Sequence, residues 1–250
     1  MLYSRMKALI LAGGYGKRLR PLTDDRPKPM IEILDKPILA WQLSWLKFNG
    51  IDDVILCIGY MKEVIIDYVS KNVKDMNIYY SVEDEPLGTA GAIRNAYNLL
   101  KDEDRFIVIN GDIITDLNMN KMIALSSNDK NNKSSKSSNS IAVVPLPSPY
   151  GIVEIDESSN SDNVKVLGFK EKPRLDQFWI NAGVYYLSIN IIDYLPDKGS
   201  IEYDTFPLLV KEDKLNAVKY SNVYWRSIDT HKDVEEARKE LATYLNKNKR

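Results

Sequence analysis

Residues 11–30, LAGGYGKRLRPLTDDRPKPM, place three glycines and five cations in one short stretch. Gly13, Gly14 and Gly16 let the backbone turn sharply and come close to a ligand. Successive N–H groups in such a turn form a concavity that suits phosphate oxygens. Lys17, Arg18, Arg20, Arg26 and Lys28 add positive charge to the same loop, so the chemistry on offer is the binding of a polyphosphate. Two familiar phosphate patterns do not fit. The Walker loop needs glycine five positions before its Gly-Lys pair and Ser or Thr after it, where this chain has Leu11 and Arg18. The dinucleotide fingerprint would use Gly14 and Gly16 but meets Leu19 at its third glycine, which argues against a nicotinamide oxidoreductase.

Such a loop has to be held by rigid elements, and the apolar pattern supplies them. Residues 6–12 read as a buried strand that runs straight into the glycines. Residues 37–49 predict a helix closed by Gly50, 54–58 a second buried strand, 61–71 a helix, and 78–80 a short strand. Gly88 opens a helix that runs to Leu100, and 105–110 is another apolar strand. Strand and helix alternating at this pitch mean a parallel sheet covered on both faces. Ligands of such sheets sit beyond the C-terminal strand ends, where both the glycine loop and Asn110-Gly111-Asp112 fall. Residues 126–140, SSNDKNNKSSKSSNS, contain nothing to bury and predict a flexible polar surface loop. Strands follow at 141–144, 151–155, 164–170 and 182–187, with short helices near 190–195 and 203–211. The final helix, 231–247, aligns Val234, Ala237, Leu241 and Tyr244 on one stripe.

Composition narrows the function classes. The 250 residues suffice for one α/β domain or two small ones, with an ordinary 44% hydrophobic and 28% charged content. A net charge of −1 gives no footing for general nucleic-acid or membrane affinity, so the cations of the first loop are a local feature. The single cysteine, Cys57, excludes an internal disulfide and fits a reducing cytoplasm. Arg5 and Lys7 interrupt any signal-peptide core, and no apolar run nears the ~18 residues of a membrane span.

The loop does follow a third pattern. It resembles the signature of the nucleoside-diphosphate-sugar pyrophosphorylases, or sugar-1-phosphate nucleotidyltransferases: L-A-G-G-x-G-T-R-L-x-P-L-T followed by P-K-P-M, with Lys17 in place of the usual Thr. Further segments resemble the family in the family's order: Glu85-Pro86-Leu87-Gly88-Thr89-Ala90-Gly91, Asn110-Gly111-Asp112, Tyr150-Gly151-Ile152-Val153, Phe169-Lys170-Glu171-Lys172-Pro173, Asn181-Ala182-Gly183-Val184-Tyr185 and Ser200-Ile201-Glu202. The resemblance implies a three-layer αβα fold with a Rossmann-like mixed, mostly parallel sheet of the GT-A-like nucleotidyltransferase kind. It implies one domain over 1–250, with a nucleotide-binding half (6–125), the polar loop (126–140) and a sugar-phosphate half with the C-terminal helix (141–250). Leu11, Ala12, Gly13, Gly14, Gly16, Lys17, Arg18, Pro86, Gly88 and Thr89 would meet the nucleotide. Gly151, Glu171, Lys172 and Asn181 would meet the sugar phosphate. Arg18, Lys28 and Asp112 would carry catalysis, with Mg²⁺ on Asp112.

One segment departs from the family. Tyr224-Trp225-Arg226-Ser227-Ile228-Asp229-Thr230 aligns with Y-W-x-D-I-G-T, so Ser227 replaces the second metal-binding Asp and Asp229 replaces the glycine. Side chains two apart on a strand share a face, so Asp229 could supply the carboxylate. It could equally cap the last helix, with Asp233 and Glu235 in the first turn. The activity implied is NTP plus sugar 1-phosphate giving NDP-sugar and pyrophosphate. The P-L-G-T-A-G form looks most like mannose-1-phosphate guanylyltransferases, whence GTP and mannose 1-phosphate. A dTTP or UTP enzyme for glucose 1-phosphate is the alternative, and a non-catalytic NDP-sugar-sensing homologue is the alternative of another class. No residue decides the base by its hydrogen-bonding groups alone. His231, the only histidine, reads as a surface residue. Oligomeric state has no signature in the sequence, although dimers and tetramers are usual for the family.

Overall fold

Lys7–Leu11 forms β1, an apolar strand whose three central residues are wholly buried. It delivers the chain into the glycine loop, where Lys17–Leu19 and Lys28–Met30 each make one 3-10 turn. The computed structural model describes residues 6–128, 139–158 and 161–248. After the loop comes a small hairpin, β2 (Glu32–Ile33) and β3 (Lys36–Pro37), which the sequence pattern does not announce. Its turn residues Leu34 and Asp35 both take positive φ, 52° and 62°, without a glycine to signal the turn. Helix α1 (Ile38–Phe48) ends as expected: Gly50 has φ 79°, the Gly50 N–H bonds the Lys47 carbonyl, and the Ile51 N–H bonds the Leu46 carbonyl. Those two bonds satisfy carbonyls that the helix end leaves without partners.

β4 (Asp53–Ile58), α2 (Lys62–Asn72) and β5 (Asn77–Val82) continue the alternation close to the expected bounds. The helix expected over 88–100 is split into α3 (Gly88–Asn95) and α4 (Tyr97–Leu100). At Ala96 the N–H is shared between the Ala92 and Ile93 carbonyls, 3.2 Å each, which tightens and ends the first ladder. β6 (Arg105–Asn110), β7 (Ile113–Thr115) and α5 (Met119–Asn128) complete the first half, α5 being unexpected. The polar stretch 126–140 is shorter at both ends than its composition predicts. α5 takes in 126–128, and β8 (Asn139–Pro147) begins with Asn139 and Ser140 buried. Asn139 is tolerated inside because its Oδ1 accepts the Ser188 N–H at 2.9 Å. The remainder of the predicted loop, 129–138, lies outside the described residues.

β9 (Ile152–Ile155) and β10 (Val166–Lys170) pair only with each other, as a two-stranded antiparallel ribbon. β11 (Arg174–Ser188) is far longer than the strand expected at 182–187. It slips register against β8 at two points, the second between Asn181 and Tyr185. Gly183 sits in that slip at φ 67°, where a Cβ would lie 2.2 Å from Ile113 Cδ1. The helix expected near 190–195 is a 3-10 segment, Ile189–Tyr194, and that near 203–211 is a π turn, Ile201–Thr205, leading into α6 (Phe206–Lys211). β12 (Leu215–Lys219), β13 (Trp225–Ser227) and α7 (His231–Asn248) close the chain.

The main sheet has seven strands in the order β12-β8-β11-β6-β1-β4-β5, with β11 antiparallel to both neighbours and every other pairing parallel. Helices pack on both faces over separate apolar clusters, so the mixed, mostly parallel three-layer expectation holds. A third cluster sits under α7, where Val234, Ala237 and Leu241 bury against Leu19, Ile33 and Ile228, as the stripe on that helix predicts. No helix of the described residues is long and apolar enough to cross a membrane. Gln42 on α1 ties the β6–β7 turn to its helix: its Nε2 donates to the carbonyls of Asn110 at 2.8 Å and Ile113 at 3.0 Å. Gln42→Leu leaves both carbonyls without a donor and is expected to cost about 1–3 kcal/mol in urea unfolding, while a loss under ~0.5 kcal/mol would show the turn to be held by other means.

Candidate active site

One cavity of about 390 Å³ opens at the C-terminal ends of β1 and β6, between the glycine loop, the start of α3 and the β6–β7 turn. All ten residues expected at the nucleotide line it: Leu11, Ala12, Gly13, Gly14, Gly16, Lys17, Arg18, Pro86, Gly88 and Thr89. Lys28, Asp112 and Asp229 complete the wall. Asp112 reaches it because the chain folds back at Gly111 tightly enough that a Cβ there would lie 2.3 Å from the Leu11 carbonyl oxygen.

Charge in the cavity is organised around one ammonium. Lys28 Nζ lies 2.6 Å from Asp112 Oδ2 and 3.0 Å from Asp229 Oδ1. Arg18 Nη2 donates to the same Asp229 oxygen at 2.7 Å, and Ser227 Oγ donates to Asp229 Oδ2 at 2.9 Å. Burial of Asp229 works to raise its pKa, but the Lys28 charge and the hydrogen bonds from Lys28 and Ser227 outweigh it and hold the carboxyl below its usual value. The two roles left open for Asp229 are thereby separated. The helix cap belongs to Thr230, whose Oγ1 accepts the Asp233 N–H at 3.3 Å while Asp233 Oδ2 accepts the Thr230 N–H at 2.8 Å. Asp229 faces the cavity instead. The pairing of β7 with β13 explains how: Ser227 stands opposite Ile113, and the Ile228 N–H bonds the Asp112 carbonyl at 2.9 Å, so residue 229 arrives beside Asp112.

Asp112 and Asp229 are the residues that could hold a cation. Both direct an oxygen at one point that already carries positive charge, and hard carboxylate oxygens suit Mg²⁺. Among the described residues no group of three or more His, Cys, Asp or Glu side chains converges, so a divalent ion would complete its shell from ligand phosphate and water. His231 lies at the surface, its Nε2 2.7 Å from the Arg20 carbonyl.

The residues expected at the sugar phosphate are gathered less completely. None of Gly151, Glu171, Lys172 and Asn181 lines the cavity. Gly151 and Glu171 do meet, since a Cβ on Gly151 would lie 2.9 Å from Glu171 Oε2, and Lys172 Nζ is 3.8 Å from Glu171 Oε1. They stand on the ends of the β9–β10 ribbon, which is not bonded to the main sheet. Asn181 lies on β11 and donates to the Tyr185 hydroxyl at 2.9 Å. From there a half-buried network returns to the cavity: Tyr185 donates to Glu202 Oε1 at 3.1 Å, and Glu202 Oε2 accepts from Thr89 Oγ1 at 2.7 Å. Burial and the Glu202 carboxylate hold the Tyr185 phenol far above its ordinary range.

Sequence reasoning missed Glu83. It is buried, lines the cavity and accepts the Leu87 N–H at 3.2 Å, but it belongs to none of the quoted motifs. Its only signal is its position between an alternating strand and the Glu85–Gly91 segment.

Comparison with known proteins bears on this geometry. A family model described as Nucleotidyl transferase matches residues 7–244. The chain is 37% identical over 237 residues to Mannose-1-phosphate guanyltransferase 2 of Candida glabrata and 36% identical over 237 residues to Mannose-1-phosphate guanyltransferase of Saccharomyces cerevisiae. Each match covers 91% of this chain and 62% of the relative, so the chain spans about three-fifths of the length of those proteins. A solved structure of HddC from Yersinia pseudotuberculosis, complexed with GMP-PN, superimposes with a TM-score of 0.71 at 34% identity, covering 94% of this chain and 99% of that one.

The Lys28 bridge makes stability depend on pH in a defined direction. Asp229 titrates below the usual 3.8 in the folded chain, so its ion pair contributes above that value and is lost as pH falls through the folded one. Lys28→Met leaves two carboxylates facing each other. The stability deficit of the variant in urea is expected to be largest at pH 7 and to shrink below about pH 4, as the carboxylates become neutral. A deficit independent of pH would show that Lys28 acts by packing alone.

Proposed function

The chain belongs to the nucleotidyl transferase family, and on that footing we propose that it transfers a nucleotidyl group from an NTP to a sugar 1-phosphate. The preferred pair is GTP and mannose 1-phosphate, giving GDP-mannose and pyrophosphate. The observation that carries the reading is the convergence of Gly13, Gly14, Gly16, Arg18, Lys28, Asp112 and Asp229 on one cavity. The similar guanyltransferases of two yeasts and the guanine nucleotide analogue bound by the Yersinia protein support the choice of GTP. A purely sensory role draws its support from Ser227, and the carboxylate of Asp229 in the cavity removes much of that support.

In this reaction an oxygen of the sugar phosphate forms a bond to the α-phosphorus. The bond from that phosphorus to the bridging oxygen breaks, and its electrons leave with pyrophosphate. The attacking oxygen is already anionic, so no general base is required. The protein has to align two anions that repel each other and neutralise their charge. Arg18 would hold the β- and γ-phosphates as a planar fork. Lys28 would leave the carboxylates and neutralise charge at the α-phosphate. Lys172 would position the attacking phosphate, with Glu171 and Asn181 on sugar hydroxyls and Gly151 giving room for the ring. Asp112 and Asp229 would hold Mg²⁺, which when bound supplies charge neutralisation at the phosphate oxygens.

Pyrophosphate release should be measured with Mg²⁺ across GTP, UTP, dTTP, ATP and CTP against mannose, glucose, galactose and N-acetylglucosamine 1-phosphates. GTP with mannose 1-phosphate is expected to dominate. Dominance of UTP or dTTP with glucose 1-phosphate would replace the substrate assignment, and a blank grid with NDP-sugars still raising Tm would replace catalysis with sensing. Lys28→Ala is expected to lower turnover by about 10²–10³, and near-normal turnover would remove it from the mechanism.

A further inference from the structure

The side chain of Asp229 is held chiefly by groups that the reaction needs elsewhere. Lys28 and Arg18 donate to its Oδ1 at 3.0 and 2.7 Å, and Ser227 Oγ donates to its Oδ2 at 2.9 Å. On the nucleotidyl-transfer reading both cations turn to phosphate when a nucleotide binds, so their bonds are lost as the carboxylate comes into use. The Arg18 pair is weak in any case, because that side chain is 74% exposed. The β7 ladder does not reach the residue either. β13 ends at Ser227, and the Ile228 N–H makes the last backbone bond to the β6–β7 turn.

The backbone at residue 229 is fixed from α7 instead. Asp233 Oδ2 accepts the Asp229 N–H at 3.1 Å, besides the Thr230 N–H and the Thr230 hydroxyl at 2.8 Å each. A helix cap requires only the Thr230 bonds, so the bond to Asp229 is an addition to it. The other oxygen, Asp233 Oδ1, accepts from Arg226 Nη2 at 3.2 Å. Neighbours on a strand point to opposite faces: Ser227 meets Asp229, while Arg226 turns to α7. There Arg226 also pairs with Glu236 and, at 3.2 Å, with Glu240, which stand three and seven residues after Asp233 on one helix face. The Arg226 side chain is only 18% exposed, so solvent screens these pairs little. The guanidinium thus holds the Asp233 carboxylate in one rotation, with its second oxygen on the Asp229 N–H.

We propose that Asp233, clamped by Arg226, is a positioning residue for Asp229. It fixes the backbone at residue 229 so that this carboxylate stays beside Asp112 for a divalent cation once nucleotide phosphates draw Lys28 and Arg18 away. The proposal rests on the nucleotidyl-transfer reading above. A carboxylate on β13 itself is carried by a strand that β7 holds, whereas one two residues beyond the strand needs a holder of its own.

Mn²⁺ is the probe, measured by equilibrium dialysis of the chain with a GTP analogue whose α–β bridge is a methylene. Asp233→Asn is expected to weaken Mn²⁺ binding by about 10- to 100-fold, the range for a group that orients a metal ligand. In turnover, the Mg²⁺ concentration giving half the maximal rate rises by a like factor, while kcat at saturating Mg²⁺ stays within about 2-fold. Asp229→Ala is expected to weaken Mn²⁺ binding at least as much, and adding Asp233→Asn to it is expected to cost nothing further, because the carboxylate to be positioned is gone. Tm is followed for each variant. Should Asp233→Asn not fold, Arg226→Lys keeps the positive charge under α7 without the fork, and Mn²⁺ binding must weaken there too. Unchanged Mn²⁺ affinity in either folded single variant, or additive losses in the double variant, overturns the proposal while leaving nucleotidyl transfer standing. No nucleotide-dependent Mn²⁺ uptake by the unaltered chain overturns both.

Discussion

Three residues that are distant in the sequence meet at one ammonium. Lys28 comes from the glycine loop, Asp112 from the turn after β6, and Asp229 from the link between β13 and α7. Two carboxylates converging without a cation would repel each other in a half-buried place, and a lysine without them would leave its charge desolvated. The arrangement is therefore complete only when all three segments are in register. Gly111, the β7–β13 pairing and the Gln42 bonds all act to fix that register. The same geometry is what phosphate chemistry requires, because the charges that neutralise one another here are those that would meet a nucleotide and a divalent ion.

A second level of order links the two halves of the chain. Thr89, at the start of α3, shares Glu202 with Tyr185 of β11, and Tyr185 in turn holds Asn181. The helix that borders the cavity is thus bonded to the strand that bears Asn181. Thr89, Glu202, Tyr185 and Asn181 are each hydrogen-bonded to the next, which is what makes the buried phenol and the half-buried carboxylate tolerable. The β9–β10 ribbon has no such tie to the main sheet, and it carries Gly151 and stands next to Glu171 and Lys172. The cavity is formed within the main layers, whereas Gly151, Glu171 and Lys172 stand at the ends of the separate ribbon.

Much of this was legible from local pattern. Apolar runs bounded by glycine found β1, β4 and β6, since a strand buried on both faces needs nothing but apolar residues. The helix stripe found the buried face of α7. Elements escaped where their cause was not local. The β2–β3 hairpin turns on Leu34 and Asp35 in a backbone region that favours glycine, and Asn139 and Ser140 are buried polar residues in a strand because β12 and Ser188 supply their partners.

The sequence by itself determined the glycine loop, its cations and the layered α/β plan, because backbone conformation, charge and periodicity are properties of neighbours in the chain. It could not assign Asp229, whose two roles were equally compatible with its neighbours. The β7–β13 register, a contact across the fold, brings its carboxylate to the cavity, while Thr230 takes the cap. Nor could it find Glu83, a glutamate without a motif, which becomes distinctive only when the end of β5 and the glycine loop after β1 close over it. Solvent around an isolated chain would satisfy any carboxylate. Only the tertiary structure, by excluding that solvent and fixing the partners, makes one carboxylate an ion-pair hub and seats another in the cavity wall beside the glycine loop.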